Sequence, residues 1–289
     1  MKVSGFTIIR NAIRFDYPVQ EAIRSVLPMC DEFVVLVGNS DDDTRALIQS
    51  ISSPKLKIFD STWNDQLREG GKVLAEETNK AFSKIDPASD WAFYIQADEV
   101  IHEKYYQSIS DSMQQWKDEP AVEGLLFDYL HFYGSYDYTA DSSRWYREEV
   151  RVIRNDPSIR SFRDAQGFQK NGRPLRVKSA NASVYHYGWV KPPEKQQEKQ
   201  KNFHRLWHPD EWVLKNVGEG NEFDYSTIDS LAKFSGSHPA VMRDRIAARN
   251  WQFSFDPLQK KLSLKSRFKM QLEKWTGWRI GEYRNYKKI

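Results

Sequence analysis

The stretch Trp91-Ala92-Phe93-Tyr94-Ile95-Gln96-Ala97-Asp98-Glu99-Val100 runs five apolar or aromatic residues straight into an acidic pair. A continuous apolar run of this length fits a strand buried on both faces, as in a parallel sheet. In open α/β sheets ligands sit at the carboxyl ends of the strands, which is where Asp98 and Glu99 fall. Two adjacent carboxylates repel and are costly to desolvate, so a cation beside them is one explanation. The other is a strand end followed by a helix N-terminus, where acids are also favoured.

Upstream, residues 3–9 (VSGFTII) read as a first strand, and Pro18 opens a segment with apolar residues at Val19, Ala22, Ile23, Val26 and Leu27, which is helical spacing with Pro in the first turn. Residues 33–37 form a second buried strand, 41–51 a helix, 56–59 a short third strand, and 73–82 a helix, with the opening strand fourth. This β-α-β-α-β-α-β order predicts an α/β fold with a mostly parallel sheet and helices on both faces. Downstream the rhythm changes. A helix over 103–116, a strand over 124–130, a Tyr-rich loop over 132–146, a half-buried strand over 150–154 with alternating apolar and basic residues, a strand over 183–187 and a polar helix over 192–208 are expected. From about 210 the signal is helical.

The 289 residues, 39% hydrophobic and 29% charged, allow one large domain with an extension. Aromatics at 14% suit sugar or base stacking as well as core filling. A net charge of +3 is too small to argue for nucleic acid. One cysteine, Cys30, excludes a disulfide framework and points to a reducing, cytoplasmic setting, and no signal peptide or spanning segment is visible. There is no G-x-G-x-x-G after the first strand, no phosphate-binding P-loop and no G-x-S-x-G elbow, which counts against dinucleotide dehydrogenases, P-loop NTPases and that class of hydrolase.

In order, Ile8-Ile9-Arg10-Asn11, Ala22-Ile23-Arg24-Ser25-Val26, Asn39-Ser40-Asp41-Asp42-Asp43-Thr44, Gly71-Lys72 with Asn79, and Gln96-Ala97-Asp98-Glu99 resemble the nucleotide-sugar-binding half of a family 2 glycosyltransferase of the GT-A (Rossmann-like) fold. The resemblance is good to about residue 100, thinner to about 190 and absent beyond. It implies a domain over 1–209, with a nucleotide-sugar half at 1–100 and an acceptor half at 101–209, followed by a helical, basic extension at 210–289. It implies transfer of a sugar from a nucleotide-diphosphate donor to a glycan or lipid-linked acceptor, by inversion, with Mn²⁺ or Mg²⁺ on the diphosphate, in surface polysaccharide biosynthesis. Hard cations take carboxylate oxygens and keep several waters, so Asp98 is the leading metal ligand. Glu99 binds through water or holds sugar hydroxyls. Gln96 stands where the family carries its first acid and retains hydrogen bonds to ribose or phosphate. Val37 replaces the Asp that often reads uracil, which leaves the nucleotide open. The resemblance also places Arg10, Asn11, Asn39, Asp42 and Lys72 near the donor, Asp42 doubling as a helix N-cap and the two cations as ordinary surface charges.

Inverting members use one carboxylate as general base on the acceptor hydroxyl. Glu148, Glu149 and Asp164 are candidates, Asp164 and Glu149 leading. Asp164 lies in a loop with Arg160 and Arg163, which should keep it ionised. His186, in Tyr185-His186-Tyr187-Gly188-Trp189, is either a core histidine or a further metal ligand. His204 and His208, at i and i+4, have no third ligand at a sensible spacing. Residues 258–289 carry ten Lys/Arg against two Asp/Glu, a net +8 in a chain totalling +3, with Leu262, Leu264, Phe268, Met270, Leu272, Trp275 and Trp278 interleaved. Such a segment suits peripheral contact with an anionic membrane or a solvated basic face on the domain. The rival functions are a non-catalytic nucleotide-sugar-binding protein, suggested by Gln96 and Val37, and a nucleotidyltransferase, disfavoured because Arg10-Asn11-Ala12-Ile13-Arg14 is not a glycine-rich loop.

Overall fold

The first strands send large apolar side chains to both faces, and this forces a helical layer on each side of the sheet. In the computed structural model, which describes residues 1–217 and 220–289, the chain runs β1 (Val3–Ile9), α1 (Val19–Val26), β2 (Glu32–Gly38), α2 (Thr44–Gln49), β3 (Leu56–Ser61), α3 (Lys72–Phe82), β4 (Trp91–Tyr94), β5 (Glu99–Ile101), α4 (Tyr106–Gln115), β6 (Gly124–Tyr133), β7 (Ser135–Ala140), β8 (Glu148–Arg154), β9 (Ile159–Phe162), β10 (Gly167–Lys170), β11 (Arg173–Trp189), α5 (Pro193–Arg205), α6 (Asp210–Val217), β12 (Leu231–Lys233), α7 (Arg243–Ala247), α8 (Leu264–Thr276) and β13 (Tyr286–Lys288). One core holds Val3, Phe33, Val35, Trp91 and Phe93 with Val19 and Ile23 of α1. The alternate residues Phe6, Val34, Leu36, Ala92 and Tyr94 face Val73 and Phe82 of α3 on the other side. Helix α1 forms where the 3.6-residue spacing buries Val19, Ala22, Ile23 and Val26 and Pro18 precedes the first turn.

The sheet order is β3-β2-β1-β4-β8-β6-β11-β10-β9. The pairs β2–β3, β1–β2 and β1–β4 are parallel. The chain adds β2 and β3 on one side of β1 and β4 on the other, so the strand order reverses between β1 and β4. That crevice is the place where an open α/β sheet binds ligands. The α/β class is therefore what the chain adopts, with the all-parallel block confined to these four strands. Beyond β4 the sheet is mixed, since β8 runs antiparallel to both β4 and β6 while β6 and β11 are parallel.

Several local expectations change. The Tyr-rich stretch contains β7, and the arginine-rich loop is the turn of the β9–β10 hairpin. The strand over 150–154 is not half-solvated, because Arg151 is fully buried between the layers. The region after 210 is not purely helical. β12 pairs with β7, and β13 returns to the main sheet beside β11, so the C-terminal segment is stitched into the domain.

Candidate functional site

The carboxyl ends of β1 and β4 open into a cavity of about 1070 Å³. Six of the residues expected at the site line it: Arg10, Asn11, Gln96, Asp98, Asp164 and His186. Asn11 follows β1 in a left-handed conformation (φ 55°), which Asn tolerates better than most residues. Its Oδ1 accepts the Asp41 N–H at 2.7 Å, tying the loop after β1 to the loop after β2. Arg10 forms a forked pair with Asp65 at 2.5 and 3.2 Å, and its buried Nε has no partner. Gln96 donates its amide to the Ala165 carbonyl at 3.3 Å, bringing the Asp164 loop against the end of β4.

Asp98 is the centre of the arrangement. Its Oδ2 accepts a hydrogen bond from Lys199 Nζ of α5 at 3.0 Å and lies 3.8 Å from His186 Nε2. Burial alone would raise the Asp98 pKa, but the Lys199 ammonium hydrogen-bonded to it outweighs that and holds the carboxylate below its usual range. The tautomer of His186 follows from its neighbours. A carbonyl only accepts, so His131 Nε2–H donates to the Tyr146 carbonyl at 2.8 Å, and burial keeps His131 neutral, with its pKa down at about 3. Its bare Nδ1 then accepts from His186 Nδ1–H at 3.1 Å. The Nε2 lone pair of His186 is left facing the Asp98 carboxylate.

A cradle lies between those two groups. A Cβ at Gly188 would stand 2.6 Å from His186 Nε2 and 2.7 Å from Asp98 Oδ2. One carboxylate oxygen and one imidazole lone pair, the imidazole oriented through its other nitrogen, fit a divalent cation. Among the described residues no three His, Cys, Asp or Glu side chains converge. Two protein ligands would leave most of such a cation's coordination sphere open.

Asp164 lines the cavity, and burial raises its pKa rather than the neighbouring arginines lowering it as expected. Gly71, at φ +70°, lets α3 begin directly against it: a Cβ there would sit 2.8 Å from Asp164 Cβ. The structure places the other five expected residues outside the cavity lining. Glu99 is wholly buried. It takes a forked pair from Arg151 at 2.7 and 2.8 Å, the Tyr129 hydroxyl at 2.7 Å and the Gln96 N–H at 3.0 Å, so all its acceptor capacity is used inside the fold. Glu149 is buried, accepts from the side-chain amides of Gln166 (2.6 Å) and Asn285 (2.9 Å), and burial pushes its pKa up to about 7. It is a brace between the Asp164 loop and the C-terminus. Asn39 accepts the Trp63 N–H at 3.0 Å, Lys72 pairs with Glu69 at 2.5 Å, and Asp42 accepts the N–H groups of Arg14 and Thr44, holding the turn before α2. His204 reaches the cavity lining, whereas His208 stacks on Trp212.

Lys199 and Arg151 sit in local patterns that mark them as solvated surface charges. Lys199 sits in a helix whose Lys/Gln composition looks fully solvated, yet Gln196, Gln197 and Gln200 are buried. His131 was detectable in principle, because an imidazole inside the apolar run of β6 must find polar partners.

No family model matches the chain, and no curated protein matches it. Among solved structures it is similar to TarS of S. aureus, at 14% identity over 70% of this chain and 39% of that one with a TM-score of 0.38, and to the 1–349 form of TarS at 13% identity, 74% and 68% coverage and a TM-score of 0.39. It is also similar to glucosyl-3-phosphoglycerate synthase of Mycobacterium tuberculosis, solved with Mn²⁺, UDP and glucosyl-3-phosphoglycerate, at 16% identity over 46% of this chain and 45% of that one with a TM-score of 0.32. The chain spans less than half the length of the first of these structures.

Proposed function

We propose that the chain is a nucleotide-sugar-dependent glycosyltransferase whose donor diphosphate lies over Asp98, His186 and Lys199. The observation that carries this reading is the cradle at Gly188, bounded by Asp98 Oδ2 and the tautomer-fixed His186 Nε2, at the strand-order reversal of the sheet. Asp98 and His186 would hold Mn²⁺ or Mg²⁺, which when bound neutralises the charge growing on a leaving diphosphate. The chain's own cations complement the same ligand. Lys199 uses one N–H on Asp98 and one on the Gly188 carbonyl at 2.9 Å, which leaves a third for a phosphate oxygen. Arg10 and Arg14 stand at the rim of the same cavity. Trp63, Tyr146 and Trp189 give aromatic faces for the base or sugars.

Asp164 is the general base of this proposal. Burial makes its carboxylate more basic than an exposed aspartate, and it stands in the cavity rather than behind it. In the inverting reaction the acceptor hydroxyl gives its proton to Asp164. Its oxygen bonds to the anomeric carbon, and the bond from that carbon to the diphosphate oxygen breaks on the opposite face. Gln96 keeps the loop in place through Ala165. The acceptor is a glycan or a lipid-linked sugar.

Calorimetric titration of nucleotide sugars with Mn²⁺, paired with an assay for released nucleoside diphosphate, tests the proposal. The wild type should bind and release product, and Asp98→Ala should lose the Mn²⁺-dependent part of both. Full activity in Asp98→Ala would remove the metal assignment. Binding without any diphosphate release in the presence of acceptors would make the chain a nucleotide-sugar-binding protein instead.

A further inference from the structure

Helix α8 carries its apolar residues on the wrong side for a packed helix. Leu264, Phe268 and Trp275, at i, i+4 and i+11, share one face and are 85%, 66% and 76% exposed. No residue of the helix is buried. The opposite face is the one tied to the body, where Glu273 pairs with Arg147 at 3.1 Å and with Arg279 at 2.8 Å. The helix is closed at both ends, by Ser263 accepting the Ser266 N–H and by Gly277 in the left-handed region. It is thus a formed element held with its greasy stripe outward.

Charge selects what covers the stripe. Lys265, Arg267 and Lys274 are exposed along the same helix. The two acids of residues 258–289, Glu273 and Glu282, are engaged by arginines, Glu282 pairing with Arg147 and Arg284 at 2.9 Å. The outward face therefore presents cations around an apolar stripe. A second copy would bring the same net +8 and be repelled. A surface that is both anionic and greasy complements it, and exposed Trp275 and Trp278 at the end of the helix suit a lipid headgroup boundary. At 13 residues the helix is about 20 Å long, and no helix among the described residues is long and apolar enough to cross a membrane. We infer that α8 lies in the plane of an anionic bilayer surface, with Leu264, Phe268 and Trp275 in the headgroup layer and the lysines on lipid phosphates. This goes beyond the donor-site reading and does not depend on it.

The test is co-sedimentation of the full chain with phosphatidylcholine vesicles made with and without phosphatidylglycerol, alongside tryptophan fluorescence. Binding should require phosphatidylglycerol, weaken with added salt and blue-shift the emission. Phe268→Ser with Trp275→Ser should lower vesicle affinity about tenfold or more, given the apolar area removed. Lys265→Gln and Lys274→Gln should each lower it about fivefold. All of these side chains are exposed, so Tm should stay at the wild-type value, and the charge variants keep the test open if the apolar pair perturbs folding. Equal binding to both vesicle types, no binding to either, or variants that bind like the wild type would overturn the inference. So would a solution dimer that the Trp275→Ser change dissociates while vesicles are ignored.

Discussion

Asp98 and Glu99 are neighbours with opposite duties, and replacing each in turn separates them. Glu99→Ala leaves the Arg151 guanidinium, wholly buried, without its forked carboxylate, and frees the Tyr129 hydroxyl and the Gln96 N–H. Removing one partner of a buried ion pair costs about 3–5 kcal/mol, because the remaining charge is uncompensated. Arg151 keeps hydrogen bonds to the carbonyls of Val150 and Gln166 and lies over the rings of Tyr94 and Tyr129, which offsets part of that loss. A net destabilisation of about 3–4 kcal/mol follows, a large fraction of the roughly 5–15 kcal/mol that holds a domain together. For a chain of this size the shift in Tm is about 10 °C. Urea unfolding at neutral pH, followed by far-ultraviolet circular dichroism, measures it. Glu99→Leu combined with Arg151→Met should regain stability relative to Glu99→Ala, since the isolated charge is gone. Asp98→Ala should cost only about 1 kcal/mol, because Lys199 borders the cavity and can turn its ammonium to water. The reasoning is refuted if Glu99→Ala folds with wild-type stability and instead abolishes donor binding, for then Glu99 is a ligand and not a brace.

Three further outcomes are expected. Gly188→Ala should abolish Mn²⁺ binding measured by calorimetry and also lower the unfolding midpoint, because a Cβ there would stand 2.6 Å from His186 Nε2 and 2.7 Å from Asp98 Oδ2 and force the two groups to shift. Asp164→Asn should lower kcat by about 10²–10⁴ in a transfer assay with little change in donor affinity, the loss typical of a missing general base. Glu149 has a folded pKa of about 7 against an ordinary 4.5, so it favours the folded state fully below pH 4.5 and this contribution is lost as pH rises through 7. The loss amounts to about 3 kcal/mol. Glu149→Gln should flatten the stability profile across that interval, seen as a smaller fall in urea midpoint between acid and neutral pH.

The parallel half of the sheet was legible because each of its strands and helices writes a local pattern. The continuous apolar runs of β1, β2 and β4 and the i, i+3, i+4 spacing of α1 depend on nothing more than a few residues on either side. The second half was less legible for the same reason. In β8 the alternation of apolar and basic residues predicted a solvated face, but Arg151 points into the interior to meet Glu99. β13 is three residues long and gains its place only by pairing with β11. The polar helix α5 looks solvent-bound until its partners are known.

The site divides along the same line. Sequence alone was enough to bring acids to the end of a buried strand, Arg10-Asn11 to the end of the neighbouring one, and Asp164 to a loop, since strand ends and loops are local features. Which of two adjacent carboxylates faces the cavity was decided by tertiary structure. Asp98 meets Lys199 and His186, and Glu99 meets Arg151, all distant in the chain. Asp98 lies in the turn between β4 and β5 while Glu99 opens β5, so the two adjacent side chains leave the chain toward different surroundings. The electrostatic partner on each side, supplied by α5, β11 or β8, then sets whether a carboxylate is left open to a ligand or locked into the core.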